Sequence, residues 1–142
     1  MLYLARSEVN RLLATSMGLG SRLPAYCTSI GRVLLAQLSE PALARYFAAV
    51  DLQPYTEFTL VTEARLRAEL ERIREQDYAV VDQELELNVR AISVPVRSAS
   101  GKACGAVNVS VKAARVPLER LTGEFLTPMR QAVERIGEFL AA

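Results

Sequence analysis

The sequence predicts an α+β fold in which an antiparallel sheet packs against helices. Two observations carry this expectation. Helix-like and strand-like patterns are mixed along the chain without the strict alternation that builds a parallel sheet, and the strand patterns RAISVPV and ACGAVNVSV flank the turn residues SASG, as in a hairpin. The chain has 142 residues, one domain's worth, with no linker, internal repeat or low-complexity segment. A chain of that size buries about two-thirds of its unfolded surface around a single core.

In order, residues 3–9 and 11–16 read as two short strands, followed by a Gly-rich loop over 17–21. Past Pro24, the residues Ile30, Val33, Leu34 and Leu38 recur at helical spacing, with Thr28 or Ser29 as the N-cap. A second helix runs from Ser39 or Glu40 to about Ala49, with Pro41 in its first turn and Leu43, Tyr46 and Phe47 on one face. After Pro54, Thr62 caps a third helix whose core face is Leu66, Leu70 and Ile73. Its other faces carry Arg65, Arg67, Glu69, Glu71, Arg72, Arg74 and Glu75, a solvated charge run. Residues 78–81 form a short strand, 82–88 an acidic loop, and 91–96 and 103–111 the hairpin. The last helix, 118–140, repeats Leu118, Leu121, Phe125, Met129, Ala132, Ile136 and Phe139 at three- and four-residue steps. Pro128 predicts a kink there or a new start capped by Thr127.

Charge narrows the function. Seventeen Lys and Arg against sixteen Asp and Glu leave a net charge of +1, so nothing in the balance pulls this domain onto nucleic acid or anionic lipid. No apolar run approaches the roughly eighteen residues of a membrane span, and the first residues lack the pattern of a signal peptide. The expectation is a soluble cytoplasmic protein. Cys27 and Cys104 belong to no pair motif, so neither a disulfide nor a zinc site is suggested, and both read as small buried thiols.

The stretch LPAYCTSIGRVLLA sets Cys27, Thr28 and Ser29 side by side at a helix start, either as the nucleophile of an enzyme or as the rim of a binding site. Histidine is absent from the chain, so no Ser-His or Cys-His dyad can form within it, and no G-x-S-x-G elbow is present. No catalytic residue, metal or cofactor is expected, and a small hydrolase-like enzyme using Cys27 or Ser29 is the alternative. A helix beginning near Thr28 leaves the amides of Ser29, Ile30 and Gly31 without intrahelical partners, an end suited to a carboxylate or to ordinary capping by a hydroxyl.

Alternation along the hairpin puts Val107, Val109 and Val111 on one face with Ile92, Val94 and Val96. The opposite face carries Cys104, Ala106, Asn108 and Ser110 with Ala91, Ser93 and Pro95. This small, faintly polar face either meets solvent or lines a cavity where a few placed polar groups fix a ligand. The loop VDQELELNVR carries Asp82, Glu84 and Glu86 without the glycine and distal Glu of a calcium loop, and reads as a solvated turn.

Taken together, GSRLPAYCTSIGRVLLA, IREQDYAVVDQELE, RAISVPV and GAVNVSV resemble the C-terminal effector domain of the IclR family of bacterial transcription regulators, over essentially the whole chain. The variant LPAYCTSIGRVLLA is most similar to the branch regulating aromatic catabolism, the protocatechuate, 4-hydroxybenzoate and β-ketoadipate regulators. The resemblance implies a GAF-like or profilin-like fold with a small-molecule pocket on one sheet face. It also implies an effector carboxylate held by the amides of Ser29 and Ile30, with Asp82, Val89, Ala91, Asn108 and Ser110 around the rest. Family members often have Cys at the position of Ala91, and some have Ser at that of Asn108. Arg90 and Arg32 are candidates for a second carboxylate, or else surface arginines. The resemblance further implies a homodimer or tetramer that contacts DNA only through a helix-turn-helix domain preceding this chain. The effector domain's first helix and strand are likewise expected before Met1. An effector sensor, a small enzyme and a pure oligomerisation module are the functions in competition.

Overall fold

Three helices precede a three-stranded sheet, and a long C-terminal helix closes its far side. The structure is a computed structural model that describes residues 22–141, so the strands expected over 3–9 and 11–16 and the loop over 17–21 lie outside the described residues. The elements are α1 (Ser29–Ala36), α2 (Glu40–Ala49), α3 (Glu63–Gln76), β1 (Ala79–Asp82), β2 (Val89–Arg97), β3 (Ala103–Lys112), α4 (Leu118–Arg120) and α5 (Leu126–Ala141). The strands lie in the order β1-β2-β3, antiparallel throughout, giving the α+β class expected from the sequence.

Register follows the alternation of side chains. Ala79 pairs with Ser93 and Ser93 with Asn108, while Val81 pairs with Ala91 and Ala91 with Ser110, so these residues share one face. On that side Val33, Leu35, Leu43, Leu70, Ile73 and Ala79 form a buried cluster joining α1, α2 and α3 to the sheet. On the other, Ile92 and Val94 pack with Leu121 and Met129, flanked by Val80, Val107, Val109 and Val133. The bulky face thus lies under α5 and the small face under α1.

Several boundaries shift. α1 stops at Ala36, and Leu38 is exposed, because Gln37 caps the helix and Ser39 already begins the next. The strand before the acidic loop includes Asp82, and β2 begins at Val89. The α-helical run that carries Pro128 starts at Leu126, and not after a cap at Thr127. Instead a π turn at Leu121–Phe125 lies between α4 and α5. Proline cannot donate to the carbonyl four residues back, and a widened turn just upstream accommodates that lost bond. Leu118 at the start of the apolar repeat and Ile136 and Phe139 at its end are exposed. A side chain at Gly137 would lie 3.1 Å from the carbonyl of Arg97, where β2 ends, and the last turn of α5 runs past that edge. No described helix is long and apolar enough to cross a membrane.

Candidate functional site

The segment leading into α1 is tightly held. Thr28 is extended (φ −124°, ψ 144°); its hydroxyl donates to the carbonyl of Pro24 at 3.0 Å and accepts from the amide of Gly31 at 3.3 Å, while its own carbonyl accepts from Arg32 N at 2.9 Å. Thr28 is therefore the cap, and the Gly31 amide is satisfied. Among the described residues nothing accepts from the amides of Ser29 and Ile30. These two carry the positive end of the α1 dipole, since the first N–H groups of a helix have no partner within it.

In front of them is a recess that opens to solvent, with about 430 Å³ of empty space reaching out into its mouth. The described residues around it are Leu23, Cys27, Thr28, Ser29 and Ile30 from one side, Val81, Leu85 and Glu86 from another, and Val89, Ala91, Asn108 and Ser110 from the sheet. No Lys or Arg is among these. A polar chain ties the sheet to α1: Ser29 Oγ donates to Asn108 Oδ1 at 2.8 Å, and Asn108 Nδ2 donates to Ser110 Oγ at 2.9 Å. The fully buried Ser93 hydroxyl lies 2.8 Å from Ser29 Oγ and 3.1 Å from Asn108 Oδ1, within reach of either with its single proton. The small face of the sheet thus meets a cavity and a helix start.

The structure brings together Ser29, Ile30, Val89, Ala91, Asn108 and Ser110, but not Asp82 and Arg90. Those two oppose each other across β1 and β2, with Arg90 Nε 2.9 Å from Asp82 Oδ1 and a second guanidinium nitrogen 2.8 Å from the carbonyl of Val116. The cause is strand alternation, because each sits one residue from a cavity-facing neighbour, Val81 and Ala91, and so points to the opposite side. Arg32 is not a surface arginine either. It is 1 % exposed and its fork grips both carboxylate oxygens of Glu84, itself 7 % exposed.

The acidic loop is accordingly not a solvated turn. Gln83 and Asn88 both adopt left-handed backbone conformations, and the amide of Asn88 donates to Gln83 Oε1 at 2.9 Å, folding the loop back on itself. Its three carboxylates go separate ways: Asp82 pairs with Arg90, Glu84 with Arg32, and Glu86 lines the cavity. Val81, Leu85 and Glu86 were not among the expected site residues. Alternation from Ala91 could have found Val81, whereas nothing local in the sequence signals the loop's inward fold.

Cys27 is buried and Cys104 exposed, so only one of the two expected buried thiols is so placed. Burial pushes the Cys27 thiol from 9.0 up to about 12, which keeps it neutral and unreactive near pH 7. The Ser29 hydroxyl donates to an amide oxygen, which cannot act as a base. One equivalent of a mild alkylating agent is therefore expected to enter at Cys104, with Cys27 modified only in denaturant. The folded state keeps the proton on Cys27 over a range where the unfolded chain releases it, so the contribution of Cys27 to stability is full below pH 9 and declines as pH rises towards about 12. Burial also raises Tyr26, from 10.0 to about 12, and Tyr46, so Cys27→Ala should remove only the part of the alkaline decline that begins near pH 9 in pH-dependent melting curves.

The family model for bacterial transcriptional regulator IclR C-terminal domains matches residues 1–138. The Pca regulon regulatory protein of Pseudomonas putida is 43% identical over 136 residues, covering 95% of this chain and 46% of that protein. The chain spans about half the length of the curated relatives it matches, 46% to 54% for the first two. Among solved structures, the inducer-binding domain of a PobR double mutant from Acinetobacter, in complex with 3-hydroxybenzoic acid, superposes with a TM-score of 0.84 at 32% identity, covering 95% of this chain and 77% of that one. The Thermotoga maritima IclR structure gives a TM-score of 0.89 at 28% identity, covering 99% and 57%.

Proposed function

The chain belongs to the IclR C-terminal family of bacterial transcriptional regulators, and on that premise we propose that it senses a small carboxylate effector in the cavity before α1. The effector carboxylate sits against the amides of Ser29 and Ile30, and its body lies over Val89, Ala91, Asn108 and Ser110. The single observation that carries this reading is the pair of unpartnered amides at residues lining a cavity whose other wall is the small, polar face of the sheet. Support also comes from a relative of known structure whose inducer-binding domain is in complex with a hydroxybenzoic acid.

In the full regulator this domain assembles as a homodimer or tetramer in the cytoplasm, and a separate helix-turn-helix domain contacts DNA. Binding shifts the regulator only to the extent that the effector prefers one assembly state over another. No catalytic residue is assigned, since the relatives are regulators and neither Cys27 nor Ser29 has an activating base.

Thermal unfolding with millimolar protocatechuate, 4-hydroxybenzoate, 3-hydroxybenzoate, β-ketoadipate or pyruvate tests the reading. At least one is expected to raise the midpoint, by an increment corresponding to about 2.7 kcal/mol when the ligand is at a hundred times its Kd. A midpoint unmoved by all five contradicts it.

A further inference from the structure

Full burial of an arginine is rare, and it occurs only where the charge is paired. The Arg32–Glu84 pair is weak evidence for stability in itself, because desolvating both charges costs about what their attraction returns. What a forked guanidinium–carboxylate contact supplies is fixed distance and orientation.

Each end of the pair also holds main chain. Arg32 Nε donates to the carbonyl of Tyr26 at 2.7 Å, in the peptide unit that leads into Cys27 and the start of α1. Glu84 Oε2 accepts from the amide of Leu60 at 2.9 Å, and the Glu84 carbonyl accepts from the Thr59 hydroxyl at 2.6 Å. The next two residues, Leu85 and Glu86, form one wall of the cavity, while Cys27, Thr28, Ser29 and Ile30 form another. The two walls are 50 and more residues apart in the chain, and the buried pair joins the segments that carry them.

We propose that Arg32 and Glu84 are positioning residues: their buried contact sets the separation between the amide-bearing start of α1 and the Leu85–Glu86 wall, and so keeps the cavity shaped for its ligand. The ligand part of this rests on the carboxylate reading above; the wall separation does not. Removing one partner strands a buried charge and destabilises the fold whatever the pair's role. The informative variant is therefore the double replacement Arg32→Met with Glu84→Leu, which fills similar volume without charge.

Two readouts are taken in a Cys104→Ser background, in variants whose urea midpoint matches the parent. One is the rate at which Cys27 is alkylated without denaturant, and the other is affinity for 4-hydroxybenzoate. Loosened walls are expected to raise the Cys27 rate at least tenfold and to weaken binding at least tenfold. If the double variant fails to fold, Arg32→Lys, which keeps the charge but loses the fork, is read in the same way with the same expectation. A folded variant with parental Cys27 protection and parental affinity overturns the proposal. Should the parent bind no carboxylate, the carboxylate reading falls, and the Cys27 rate alone decides the positioning role.

Discussion

Ser29→Pro is expected to abolish or severely weaken effector binding while leaving the domain folded. Proline at the first helical position needs no N–H, and its fixed φ suits a helix start. The residue before a proline must be extended, and Thr28 already is, at φ −124° and ψ 144°. The substitution therefore removes one of the two amides proposed to hold the ligand without breaking α1. A hydrogen bond to a charged group contributes roughly 1.5–3 kcal/mol, so the affinity should fall roughly 10- to 100-fold. Ser29→Ala separates the amide from the hydroxyl: it also breaks the bond to Asn108 Oδ1 but keeps the N–H. It should cost stability and retain most of the affinity. Equal losses of affinity in the two variants would mean that the hydroxyl, and not the amide, holds the ligand. Calorimetric titration of both against the parent gives the comparison.

Gly31→Ala is expected to have the largest effect on stability of any single methyl group added to this site. A Cβ at Gly31 would overlap the Ala25 backbone, colliding with its oxygen and Cα and lying 2.6 Å from its carbonyl carbon. Backbone atoms cannot swing aside as a flexible side chain does. Either α1 or the segment before it must move, and both are fixed, by Thr28 on Pro24 and by Arg32 on Tyr26. Overpacking commonly costs 1–3 kcal/mol, and a rigid collision of this kind should exceed about 3 kcal/mol. Equilibrium denaturation in urea measures it, with a lower midpoint and an unchanged slope as the expected result. A midpoint within experimental error of the parent would mean that the Ala25 turn is far softer than its contacts imply.

How far the fold could be read in advance depended on the range of the signal. The start of α1, the core face of α3 and the two faces of the hairpin are local periodicities, and each appears where alternation or helical spacing put it. The same alternation already separated Arg90 from Ala91. Including Arg90 and Asp82 in the site followed proximity and family resemblance over strand parity, and parity prevailed. The Arg32–Glu84 pair joins residues 52 apart through a loop folded by two left-handed residues, and no pattern of spacing announces such a contact. The C-terminal helix shows a third kind of limit. Pro128 marked the place of an irregularity correctly, but not its form, because the neighbouring turn absorbed the lost bond as a π turn.

The alkaline behaviour of Cys27 bears on the enzyme alternative from a separate direction. A thiol raised to about 12 by burial serves as packing and as a reporter of cavity opening, not as a nucleophile.

The most direct measurement on the central claim is a titration of the isotopically labelled domain with 4-hydroxybenzoate and 3-hydroxybenzoate, followed through backbone amide resonances. The Ser29 and Ile30 amides are expected to move most and to saturate together. The amide of Gly31, already bonded to Thr28, should move less. Saturable shifts elsewhere with Ser29 and Ile30 unmoved would contradict it.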